Sequence, residues 1–459
     1  MTRLGRAFGI TVLLNTLAVG TGVHAQTHSV PCAPKAFRWQ EDCRPIDGEA
    51  RSRFRYLPLA GDASSWLTLG GEFRVRIESI DRPTYGLTPA PGYSTADHRF
   101  LLHADAREVS GLRGFVQLSA VSSAGRFPVR SVDRSEVDLQ QGFIDIPLGS
   151  PQSILRIGRQ EFDGDGLRLI SSRDSANLRR AFDMVQLDLR PGQDRLSIFY
   201  GSPVGNHPGV FDDHPVSGET LLGVIVRHGW TMGTYHGTFG GFAIERKRPQ
   251  AIFQDARGAE RRDTLGLRLS GDAPSYRFAL AGGLQIGTVG ASEISAHGLS
   301  GEAFYKTRLG QFPASIGATF GIASGDRRSD DGTVGTFDPL YPNLGYYTDA
   351  AVSYPANVWD IEPQVSIQAT STLDVQVGVD LTSRLSRHDA VYQSGVPRLL
   401  GTGQEGSFLG SLFSVKAAWT PTANLTLTTS YVHGAPGAVI EEAGGKTFDF
   451  AYGQLAYRY

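Results

Sequence analysis

Residues 66–78, WLTLGGEFRVRIE, place Leu67, Leu69, Phe73, Val75 and Ile77 at one parity and Thr68, Glu72, Arg74, Arg76 and Glu78 at the other. A period of two sends successive side chains to opposite faces of a strand, so this stretch predicts one apolar and one charged face. The pattern recurs. In residues 97–109, Phe100, Leu102, Ala104 and Ala106 alternate with Arg99, His103, Asp105 and Arg107. Val185, Leu187 and Leu189 oppose Gln186, Asp188 and Arg190, and Ala303, Tyr305 and Leu309 oppose Glu302, Lys306 and Arg308. Val375, Val377, Val379 and Leu381 oppose Asp374, Gln376, Asp380 and Thr382.

About eighteen candidate strands follow, centred near residues 72, 103, 118, 141, 157, 186, 198, 224, 238, 266, 280, 304, 319, 362, 379, 414, 428 and 454. Many reach ten residues, the length that a tilted membrane-spanning strand needs. Short links such as SGL (110–112), RPGQ (190–193) and TPTAN (420–424) read as turns. Long links fall near 80–96, 126–134, 163–180, 203–218, 246–260, 325–355, 385–408 and 434–447. Short periplasmic turns and long external loops are the asymmetry of outer-membrane barrels. The closing FDFAYGQLAYRY offers an aromatic final strand. These features predict an all-β, antiparallel, up-and-down transmembrane barrel of about 18 strands in the outer membrane. A secreted sandwich or propeller is the competing fold.

The N-terminus agrees with that compartment. Arg3 and Arg6 precede an apolar run from Phe8 to Val19 and a small-x-small site, Val23-His24-Ala25, before Gln26. Residues 1–25 therefore read as a secretory signal peptide. Residues 26–62 read as a periplasmic segment that either plugs the barrel mouth or docks a periplasmic partner, and residues 63–459 as the barrel. Cys32 and Cys43 are the two cysteines, and in an oxidising periplasm they close a disulfide loop in preference to remaining free thiols.

Removing residues 1–25 leaves 42 basic and 46 acidic side chains. No global positive field exists for nucleic acid, so any anion site is local. RLISSRDSANLRR (168–180) is such a site, with Arg168, Arg173, Arg179 and Arg180 around a lone Asp174.

Three passages carry a family resemblance: 55–78, 155–187 with its arginine-rich link, and SGDRRSDDGTVGTFDPLYPNLGYY (324–347). With them the chain resembles the alginate-export family of outer-membrane porins. The resemblance implies a monomeric barrel with an arginine-lined lumen passing an acidic polysaccharide. The partners expected are that polysaccharide or small anions, together with outer-membrane lipid and lipopolysaccharide.

Candidate substrate ligands are Arg168, Arg173, Arg179 and Arg180 in the link, with Arg74, Arg76, Arg99, Arg107, Arg156 and Arg308 on inward faces. Arginine pairs with carboxylates bidentately and stays charged. A general or small-anion porin is the alternative. No G-x-S-x-G or H-E-x-x-H occurs, so no enzyme is expected. SGDRRSDDG (324–332) and DGDG (163–166) lack EF-hand spacing and read as solvated turns, so no metal or cofactor is expected.

Overall fold

The structure, a computed structural model, describes residues 32–44, 54–59, 62–88, 90–126, 129–150, 152–164, 169–328, 330–393, 396–398 and 406–459. The signal peptide expected over residues 1–25 lies outside these.

Eighteen long strands form one antiparallel sheet. The first nine are β1 (Asp62–Ile80), β2 (Tyr93–Arg107), β3 (Arg113–Ala124), β4 (Ser135–Pro147), β5 (Ile154–Gln160), β6 (Phe182–Leu189), β7 (Asp194–Gly205), β8 (Thr220–Met232) and β9 (Tyr235–Ile252). The rest are β10 (Arg257–Asp272), β11 (Tyr276–Val289), β12 (Ser292–Leu309), β13 (Phe312–Ala323), β14 (Val358–Gln368), β15 (Leu373–Ser383), β16 (Phe408–Thr422), β17 (Leu425–Pro436) and β18 (Phe448–Arg458). Each predicted strand centre falls within one of them. The sheet closes because β1 pairs with β18 in register, from Glu72 opposite Arg458 to Ile80 opposite Phe450. A closed sheet leaves no unpaired edge, which a backbone in lipid requires. No helix among the described residues is long and apolar enough to cross a membrane.

The barrel is inside out. Ile77, Phe100, Leu102, Leu267 and Leu284 are exposed, whereas Glu72, Arg74, Arg99, Gln117 and Arg262 are buried. Exposed Tyr235, Tyr276, Phe312, Trp419 and Tyr457 lie near the short-turn ends of their strands, as an interfacial aromatic girdle does. Two-residue turns join β8 to β9 and β12 to β13, with Gly233 (φ 62°) and Gly310 (φ 61°) supplying the positive φ that such tight hairpins demand.

One link departs from expectation. Residues 246–260 form no long loop: β9 continues to Ile252, β10 starts at Arg257, and four residues connect them. The charged run ERKRPQ hides the strand period, and Pro249 is accommodated at a register shift between Arg248 and Ala251.

Two long loops turn inward, as a pore-lining arginine link requires of 168–180. The described parts of 161–181 and 324–357 fold into the barrel, where Ile170 and Tyr341 form a parallel bridge. Phe162, Leu169, Ile170, Phe337, Leu340 and Tyr341 pack with Phe182, Phe199, Leu221 and Ile225 from the wall. Part of the interior is thus an apolar core rather than a water-filled bore.

Candidate functional site

Strand parity points Arg74 and Arg99 inward, and the 161–181 loop descends onto them. Arg74 donates to the carbonyls of Asp174 (2.8 Å) and Ala176 (2.7 Å). Arg99, fully buried, bridges Glu72 (2.7 Å) and Asp174 (2.8 Å). Asn177 fastens the loop further by donating to the carbonyls of His98 (3.1 Å) and Ser122 (3.0 Å). The Asp174 side chain remains 48 % exposed although its backbone is held by inward-facing arginines, so it looks onto open space inside the barrel.

Arg179 pairs with Glu161 (3.1 Å) and donates to the carbonyl of Ala36 (2.8 Å). Arg180 donates to the carbonyls of Ser171 (3.1 Å) and Tyr341 (2.5 Å), tying the two inward loops together. Arg173 has a buried Nε with no hydrogen-bond partner, and a backbone φ of 58°. Burial and the nearby Arg130 lower the Arg173 pKa to about 10; burial and Arg173 lower that of Arg180 to about 9. Both remain cationic at neutral pH. Burial also pushes the Glu161 carboxyl up to about 7, against the pull of Arg179.

At the short-turn end, Arg107 and Arg156 meet a second element. The structure joins Cys32 to Cys43, with Cα atoms 4.4 Å apart, and the loop between them sits on the inner face of β1–β5. Arg107 pairs with Asp105 (2.9 Å) and donates to the carbonyl of Glu41 (2.5 Å). Arg156 grips Asp145 bidentately (2.6 and 2.7 Å) and stacks on Trp39 at 4.0 Å. Arg113 shares Asp105 (2.7 Å) and donates to the carbonyl of Trp39 (2.5 Å). Sequence reading missed Arg113, although it lies opposite Arg107 across a short hairpin. Parity across that turn is the signal that points to it.

The remaining candidates stand apart. Arg76 pairs with Glu78 (2.9 Å) and stacks on Tyr452 at 3.8 Å. Arg308 has inward parity but lies exposed beside the β12–β13 turn, bonded to the Gln311 carbonyl. Arg168 lies outside the described residues. A further buried group went unread because 246–260 looked like a loop: Arg246 and Arg262 face each other across β9 and β10. Arg246 reaches Glu260 and Asp338 (2.8 Å each), Arg248 reaches Asp338 (2.9 Å), and Arg262 reaches Glu260 (2.7 Å). Asp338 thereby anchors the 324–357 loop to the wall.

Asp138, Asp212 and Asp213 bring three carboxylates within 4.8 Å of one another. Arg159, 3.6 Å from Asp138 and donating to the Asp213 carbonyl (3.2 Å), already supplies positive charge there.

Comparison with known proteins fits this architecture. OpdK of Pseudomonas aeruginosa superimposes with a TM-score of 0.54 at 12 % identity, covering 85 % of this chain and 98 % of its own. OccAB1 of Acinetobacter baumannii gives 0.59 at 8 %, covering 86 % and 96 %. OccK2 of Pseudomonas aeruginosa, solved in complex with glucuronate, gives 0.52 at 12 %, covering 85 % and 96 %. At these identities the likeness concerns the fold. No curated protein matches the chain. The profile of the alginate export family matches residues 65–454, nearly the whole barrel. The chain belongs to the alginate export family and forms an outer-membrane channel.

Proposed function

We propose that the channel passes carboxylate-bearing saccharides, and that Arg173 and Arg180 of the inward loop are its solute contacts. One observation carries this reading: among the described residues neither makes an ion pair with a carboxylate. Arg76, Arg99, Arg107, Arg156 and Arg179 each have an acidic partner already, Arg74 is buried beneath the loop carbonyls that it holds, and Arg308 lies exposed at the short-turn end. Glu219 acts on Arg180 from a distance, but two neighbouring guanidiniums without a carboxylate in ion-pair contact still repel each other, and an incoming carboxylate relieves that repulsion while gaining charge-assisted hydrogen bonds. Weak contacts suffice, because a translocated solute must leave as readily as it enters. That the fold neighbour OccK2 was solved with glucuronate, a carboxylated sugar, supports the solute class.

Single-channel recording in a planar bilayer tests the proposal. Oligouronate added to the long-loop side is expected to block the current, and the double substitution Arg173→Ala and Arg180→Ala to raise the blocking concentration about tenfold, corresponding to ~1.4 kcal/mol. Arg308→Ala is expected to change nothing. A current indifferent to the sugar points instead to a general porin.

A further inference from the structure

The loop closed by Cys32 and Cys43 occupies arginines in an unusual manner. Arg107, Arg113 and Arg179 each give it a donor, and each donor lands on a neutral backbone carbonyl, of Glu41, Trp39 and Ala36 respectively. The loop's own charges are satisfied within its segment: Glu41 pairs with Arg38 (3.1 Å) and Arg55 (2.8 Å). Asp42 of the loop, paired with Arg44, is the one loop carboxylate that also acts on the wall, through Arg107. Among the described residues of the wall, Arg107, Arg113 and Arg156 pair with two carboxylates, Asp105 and Asp145.

Neutral carbonyls are weaker acceptors for guanidinium than carboxylates, by roughly a factor of two in hydrogen-bond strength. The Trp39 ring, at 4.0 Å over Arg156 and edge-on to Phe143 (6.3 Å), fills the flat space between the arginine plane and the aromatic wall. The pattern is that of a stand-in. A ring occupies a stacking slot, uncharged oxygens occupy donor positions, and Asp42 supplies the negative charge that the wall's own two carboxylates leave short.

We propose that the Cys32–Cys43 loop is a built-in pseudo-ligand, seated on a second, periplasmic-side site for acidic saccharide and displaced by such a solute. This rests on the solute class proposed above, and it adds a site, a competitor and a direction of access. The disulfide keeps the loop compact enough to present its three carbonyls at once, since closing a short loop removes much of the freedom it has when unbridged. Arg179 contacts both this loop and Glu161 of the inward loop, so the two elements meet within the bore.

Reduction of the wild-type protein provides the test, because Cys32 and Cys43 are its two cysteines. In a planar bilayer, a mild phosphine reductant or the substitution Cys43→Ser is expected to raise the potassium chloride conductance at least twofold. Oligouronate added on the side bearing the loop is then expected to block at a concentration at least tenfold lower than in the oxidised protein. Arg113→Gln or Arg107→Gln in the reduced channel is expected to reverse that gain. Equal conductance and equal block in both redox states overturn the proposal. A rise in conductance with no gain in block from the loop side overturns it too, leaving a plain plug. Block from the long-loop side that persists while the loop side stays indifferent overturns this inference alone. Absence of block from either side in every state overturns the solute class and this proposal together.

Discussion

Glu161 sits where burial and a cation disagree. Its carboxylate accepts from Gln140 (3.0 Å) and pairs with Arg179 (3.1 Å), yet burial dominates and sets its pKa near 7. A carboxyl whose folded pKa lies above its free value favours the folded state while protonated. That contribution is full below about pH 4.3 and is lost as pH rises through about 7. The thermal transition of the detergent-solubilised barrel is therefore expected to fall as the pH rises from about 4.5 to about 7 and to level off above, and Glu161→Gln to flatten the profile. An unchanged slope in that variant shows that another group titrates. Single residues were the least legible part of the chain. The arginines of 168–180 were readable as a cluster, but which of them lack an acidic partner depends on Glu161 and Tyr341, and neither lies beside them in the way a sequence window shows.

Among elements, strands and loops differ in what sets them. A strand's period of two is written locally, so the strand centres were readable from alternation together with the spacing of the turns. The path of a loop is decided by what it meets far away. The 324–357 segment reads as a polar external link, yet Asp338 draws it inside to meet Arg246 and Arg248, some ninety positions earlier. Replacing Asp338 by Asn leaves those buried guanidiniums with Glu260 as their shared acid. Removing one member of a buried charge group costs ~3–5 kcal/mol, an upper bound where water reaches the site. The variant is expected to expose the 324–357 loop to proteolysis while the barrel still resists unfolding in sodium dodecyl sulfate at room temperature. A loop as resistant as in the wild type removes Asp338 as its anchor.

For the whole molecule, the two faces of the barrel obey opposite solvents. Leu267 is 73 % exposed on β10 and faces lipid, so Leu267→Arg is expected to cost ~2–4 kcal/mol if the residue lies near the midplane, read from urea titration of folding into vesicles. Closure of the barrel also fixes an order of events. Arg38 donates to the carbonyl of Tyr459 (2.7 Å), 421 positions later, beside the seam where Arg458 bonds Glu72 (2.6 Å). That carbonyl takes its place only once β18 has zipped onto β1. This one contact of the N-terminal loop therefore joins a residue made early to one made last. The bond from Arg38 to Tyr459 is thus a signature of the finished cylinder, whereas the seats on Arg107, Arg113 and Arg156 exist as soon as the first five strands have paired.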